Sequence, residues 1–152
     1  MGHSTGSGAR GNSAAAERYR RQAEYYGQHA ERSPNNRMYQ DEAMNYGDLA
    51  EFARRMRPNA KEYIGPQAAI ALDDAIEGDE FEISGNVFSG RYRLERRRDP
   101  LSGQAGLMFV QQGRFSSHAF AKNTDTILSE LRLIRGGRLE NRESARVRKV
   151  KT

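Results

Sequence analysis

Apolar positions recur every three or four residues through the first third of the chain. Ala16, Tyr19, Ala23, Tyr26 and Ala30 follow at spacings of 3, 4, 3 and 4, which puts them on one face of a helix. Ser13 precedes this run as an N-cap candidate. A second stripe runs Tyr39, Ala43, Tyr46, Ala50 and Ala53, widened by Leu49, Phe52 and Met56. Ser33-Pro34 is its start signal and Pro58 its stop. Arg54, Arg55 and Arg57 sit near its C-terminus, where positive charge complements the helix dipole. The connection Arg32–Asn36 is short, so the two helices are expected to fold back as an antiparallel hairpin.

The two stripes are copies. Ser13, Tyr19, Ala23, Tyr26, Gly27, Ala30 and Glu31 recur 20 residues later as Ser33, Tyr39, Ala43, Tyr46, Gly47, Ala50 and Glu51. Two copies are fewer than a stacked array needs, so the repeat reads as two helices sharing one packing surface. Gly27 and Gly47 each cost roughly 1 kcal/mol relative to Ala in a helix. The expected compensation is close approach of the helix backbones, with tyrosines covering the flanks.

Gly65-Pro66 opens a third, shorter helix with Ala68, Ala69, Ile70, Leu72, Ala75 and Ile76 on a broad apolar face and Gly78 as C-cap. The period then changes to two. Phe81 and Ile83 alternate with Glu80 and Glu82; Tyr92 and Leu94 alternate with Arg91, Arg93 and Glu95. Leu107–Val110 is apolar on both faces, as a central strand would be. Asp99-Pro100 and Ser102-Gly103 mark the turn before it, and Arg114–Phe120 is the expected fourth strand. A last helix starts near Thr124 or Asp125, carries Ile127, Leu128, Leu131 and Ile134, and stops at Gly136-Gly137. The expected fold is α+β: helical hairpin, short helix, antiparallel meander of three to four strands, C-terminal helix. Its divisions are a disordered leader over 1–12, the hairpin over 13–57, an α+β domain over 66–136 and a flexible basic tail over 137–152.

Composition sharpens this picture in two ways. Of 152 residues, 36 % are hydrophobic and 30 % charged, so a modest core is expected. The net charge is +5, and most of it lies at the end: Arg138, Arg142, Arg146, Arg148, Lys149 and Lys151 stand against Glu140 and Glu143. With no cysteine, disulfide and thiol chemistry are excluded, which fits a reducing, cytoplasmic setting. No apolar run approaches the length of a membrane span, and the Gly/Ser-rich start resembles neither a secretory signal nor a myristoylation site.

Candidate chemistry is sparse. Arg91, Arg93 and Arg97 share one face of a strand and, with Arg114 and the basic tail, form a candidate phosphate-contacting set. Six tail cations could give a salt slope of at most about −5 on duplex DNA. Glu80 and Glu82 stand ready to pair with the same strand, which is ordinary cross-strand chemistry. Ser116 and His118 share a face, but no metal-ligand spacing, nucleophile–base pair or phosphate loop accompanies them. No cofactor or metal is expected.

Two resemblances are partial. The order of elements over 66–135 resembles the double-stranded-RNA-binding domain. That family carries a basic run at the start of its last helix, where this chain has Ser116-Ser117-His118-Ala119-Phe120-Ala121-Lys122. The spacing of Arg138, Arg146 and Arg148 faintly resembles the C-terminal transport signals of type IV secretion substrates, with Val150 in place of the final arginine. The expected function is a small non-catalytic nucleic-acid-associated protein. The alternative is a protein-interaction or assembly module of phage, plasmid or secreted accessory type, one that could assemble as a homo-oligomer. It would act through Tyr19, Ala23, Tyr26, Gly27, Tyr39, Ala43, Tyr46 and Gly47.

Overall fold

The computed structural model describes residues 6–85, 88–115 and 118–150, with side chains from Ala14 onward. The chain is α+β and divides into two compact units. One holds the helices through Ala60 together with Ile134–Glu140; the other holds Lys61–Leu133 and the segment from Asn141.

In the first unit α1 (Gly6–Arg32) and α2 (Arg37–Arg54) pair along their length. The pairing is antiparallel, because Tyr19 meets Tyr46 while Tyr26 meets Tyr39. α1 starts earlier than expected: residues 6–12, assigned to a disordered leader, are its first turns. Once a helix is nucleated, each added residue gains a hydrogen bond. Residues 1–5 of that leader lie outside the described residues. α2 starts later than Ser33-Pro34 suggests. Its N-cap is Asn36, whose side chain accepts the Met38 N–H at 3.1 Å. Ser33–Asn36 instead closes a turn through Asn36 N–H to Ser33 C=O, with Pro34 at the second position that such turns favour.

A short ribbon completes this unit: β6 (Ile134–Arg135) and β7 (Arg138–Leu139), joined by Gly136-Gly137. Both glycines have positive φ, 59° and 83°, as a two-residue hairpin turn requires. Ile134 is therefore in a strand, not in the last helix. Asn45 of α2, only 2 % exposed, holds the ribbon. Its amide donates to the Gly137 carbonyl and its carbonyl accepts from the Leu139 N–H, both at 2.8 Å.

The second unit is built on a six-stranded antiparallel sheet in the order β1-β8-β2-β3-β4-β5. Its strands are β1 (Tyr63–Ile64), β2 (Glu80–Ser84), β3 (Gly90–Arg98), β4 (Ala105–Gln111), β5 (Ala119–Ala121) and β8 (Arg146–Val150). Helices α3 (Pro66–Asp73) and α4 (Thr124–Glu130) accompany it. The β2–β5 meander matches the sequence expectation, although β5 is shorter: Arg114 and Phe115 lie in a turn. α4 ends in a Schellman motif, with Arg132 at φ 57° and its N–H bonded to Ser129, and Leu133 N–H bonded to the Leu128 carbonyl. Alternate side chains of the strands form one wall of the core: Phe81, Ile83, Tyr92, Leu94, Phe109, Phe120 and Val147 are all buried. Ile70 and Leu72 of α3 and Ile127 and Leu128 of α4 are buried with them.

The end of the chain corrects the expectation of a flexible tail. Residues 146–150 form β8, paired with β1 on one side and with β2 on the other. The physical reason is a period of two inside the charge cluster. Ala145 and Val147 are fully buried while Arg146 and Arg148 point outward. Gly85, at φ 86°, lets β2 end against this segment; a Cβ there would collide with the Ser144 carbonyl.

Candidate interaction surfaces

The outward side chains of β8, β2 and β3 form a face of alternating charge. Register sets Glu80 opposite Arg93, Glu82 opposite Arg91 on one side and Arg148 on the other. Glu80 accepts from Arg91 Nε at 2.9 Å and from Arg93 Nη2 at 3.1 Å. Arg148 reaches Glu82 at 2.6 Å, Arg146 reaches Glu62 at 2.9 Å, Arg97 reaches Glu95 at 2.8 Å and Lys149 reaches Asp79 at 3.5 Å. The hydrogen bond from Arg93, with the charges of Arg93 and Arg91, holds the Glu80 carboxyl below its ordinary 4.5 against the opposing effect of burial. The bond from Arg148 does the same for Glu82. A phosphate approaching these arginines would have to displace carboxylates already in place.

The other predicted cations are scattered. Arg114 is exposed, its guanidinium 6.0 Å from the Phe115 ring centre. Arg138 is half-buried in β7 and Arg142 is exposed in the loop before β8. Lys151 lies outside the described residues. The structure thus brings Arg91, Arg93, Arg97, Arg146 and Arg148 to one face, Arg91 and Arg93 sharing Glu80 and the others meeting Glu95, Glu62 and Glu82; Arg114 lies in a turn and Arg138 in β7.

The tyrosines of the repeat form a ladder between the helices. Tyr26 and Tyr46, equivalent positions in the two copies, stack at 5.7 Å with planes 6° apart. Tyr19–Tyr46 and Tyr26–Tyr39 flank them at 6.1 and 6.4 Å, both tilted by 31°. Equal geometry on either side of a stacked pair is what a twofold relation between α1 and α2 produces. The ladder is buried at one end and open at the other. Tyr19 and Tyr46 are buried; Tyr26 and Tyr39 are half-buried. At the open end Tyr25, 54 % exposed, packs edge-on against Tyr26 and His29 at 5.1 and 4.5 Å, and His29 stacks on Tyr39 at 5.1 Å.

The glycine expectation is corrected here. A Cβ built on Gly27 or Gly47 would meet nothing within 4 Å, so neither marks a close helix approach. Ala23 and Ala43 are half-buried beside the ladder. Tyr25 escaped the sequence reading because its counterpart in the second copy is Asn45. Only a comparison of the unmatched positions in the repeat would have singled it out.

His118 stands just before β5, stacked on Phe88 at 4.0 Å, with its Nε2 against the Glu130 carboxylate. Tyr92 lies edge-on to it at 6.2 Å and donates its hydroxyl to the Phe88 carbonyl at 2.5 Å. Burial, reinforced by the Glu130 charge, pushes Tyr92 up to about 12. The cluster ties the β2–β3 and β4–β5 loops to α4. Ser116, which was to share a site with His118, lies outside the described residues. Among the described residues no helix is long and apolar enough to cross a membrane. No family model, curated protein or solved structure matches the chain.

Proposed function

We propose that the chain is a non-catalytic protein-interaction module whose binding element is the helical hairpin. The observation that carries this reading is the open end of the tyrosine ladder. Tyr25 is 54 % exposed beside half-buried Tyr26, His29 and Tyr39. Rigid aromatic side chains with polar tips are the groups most enriched at protein interfaces. Arg91, Arg93, Arg146 and Arg148 speak for structure instead, since each is paired with a carboxylate. A cytoplasmic setting accords with the cysteine-free sequence.

Quantitative co-purification tests the reading. The tagged chain should retain a protein partner that Tyr25→Ala loses and Arg148→Ala keeps. A nuclease-sensitive complex lost with Arg148→Ala instead would return the nucleic-acid reading to first place.

A further inference from the structure

We infer that Arg135 and Arg138 of the β6–β7 ribbon form a receptor for one phosphate monoester, a phosphoserine on the partner protein. The inference rests on the interaction reading for the partner being a protein. It starts from the register of the ribbon. Arg135 and Arg138 are direct cross-strand partners flanking Gly136-Gly137. Directly opposed side chains share one face of a strand pair, with Cβ atoms roughly 4.5–5.5 Å apart, and like charges so placed destabilise it.

Among the described residues no acid offsets this repulsion. Neither guanidinium has an ion pair or a side-chain hydrogen bond there, whereas Arg91, Arg93, Arg146 and Arg148 each meet a carboxylate. Neither Asp41, which pairs with Arg37 at 3.8 Å, nor Glu140 forms an ion pair with them. Arg138 Nε is also buried without an acceptor, and among the described residues no other buried side-chain nitrogen or oxygen is left so. A buried donor without a partner is costly. An orphan donor beside an unpaired like charge points to an anion that binds from outside.

The chemistry of the pair selects the anion. An arginine fork gives two parallel hydrogen bonds to an oxyanion. Two forks with two charges match phosphoserine, which carries about −1.5 to −2 at neutral pH and three acceptor oxygens. A nucleic-acid phosphate brings one charge, as a carboxylate does, and leaves half of the pair's charge unmatched. The site is also shallow: Arg135 and both glycines are exposed, and Arg138 is half-buried. Small free ligands need an enclosing cleft, so the phosphate is one held out on a chain. Beside the turn, Arg37, Met38, Asp41 and Glu42 form an open groove of about 570 Å³ with Gly136 and Gly137, where residues flanking the phosphoserine can lie.

Nitrogen-15 spectra of the arginine Nε–H groups read the site on the full chain. The probes are a capped phosphoserine peptide with two alanines on either side, the same peptide with serine, inorganic phosphate, and a thymidine oligonucleotide. The phosphopeptide should shift the Arg138 Nε–H signal, and inorganic phosphate should do so at about tenfold lower affinity. The serine peptide and the oligonucleotide should leave it in place. Arg138→Lys keeps the charge and loses the Nε donor; it should weaken the phosphopeptide about tenfold, read at the Gly136 and Gly137 amides, as should Arg135→Gln. Arg148→Ala should change nothing. An unmoved Arg138 signal, equal binding of the serine peptide, inorganic phosphate as tight as the phosphopeptide, tighter binding of the oligonucleotide, or unchanged affinity in the exposed-site variant Arg135→Gln would each overturn the assignment. If the assignment fails while Tyr25→Ala still releases a co-purifying protein, the interaction reading stands. If the phosphopeptide binds as expected and Tyr25→Ala releases nothing, the hairpin reading alone is lost.

Discussion

α1 and α2 repeat the same tyrosines, alanines and glycines, yet their outer faces have opposite fates. α2 buries Asn45 and Leu49, at 2 % and 1 % exposure, where α1 holds Tyr25 and His29 at or near the surface. The matched positions build the contact between the helices. The unmatched ones decide what each helix does with its free side: one closes on the chain's own ribbon, the other leaves Tyr25 exposed. A duplicated pattern thus fixes a core and leaves function to its exceptions.

The comparison breaks most sharply at Asn45. Asn45→Leu strands the Gly137 carbonyl and the Leu139 N–H, so chemical denaturation should show a loss of about 2–4 kcal/mol. Tyr25→Ala, at the equivalent position on α1, should cost no more than about 0.5 kcal/mol, as expected of an exposed side chain outside the core. A loss at Tyr25 as large as that at Asn45 would mean that α1's outer face is covered in the free protein.

A second contrast sets the hairpin against the charged sheet face. Glu80 and Glu82 are held below their ordinary range in the fold. Their contribution to stability is therefore complete above about pH 4.5, the unfolded value, and is lost as pH falls through the lower folded values. An acid titration followed by thermal unfolding should show this loss, and Glu80→Gln should flatten it. An unchanged profile in Glu80→Gln would mean that the arginines are not held by this carboxylate. At the other end of the scale, Tyr92 should titrate near 12. Stability should fall above pH 10, where an unfolded tyrosine ionises and the folded one resists.

The smallest expected effect is a gain. Gly27→Ala and Gly47→Ala should each raise stability by about 0.5–1 kcal/mol, since the space beside both is empty and Ala propagates a helix better. A loss at either would restore the close-approach reading of the repeat.

The hairpin and the β2–β5 meander were legible because their periods of 3.6 and two are written in apolar residues. β8 was not, for its alternation is only Ala145 and Val147 between arginines, and the dense charge of residues 138–151 reads as a solvated tail. The pairing of Glu80 with Arg91 and Arg93 was legible in the alternation of neighbouring strands, but that of Glu82 with Arg148 was not. Arg148 meets Glu82 only because β8 returns across 66 residues to lie beside β2. The ribbon seat depends likewise on a contact between Asn45 and Leu139 that no local pattern announces. Tyr25 became visible as a surface only once the ribbon was seen on the equivalent face of α2.

The most direct test of the interaction reading is site-specific photocrosslinking in the protein's own cells, with a photoreactive phenylalanine at position 25 or at position 148. The expected result is a discrete protein adduct from position 25 and none from position 148. Nucleic-acid adducts from position 148, with position 25 silent, would contradict it.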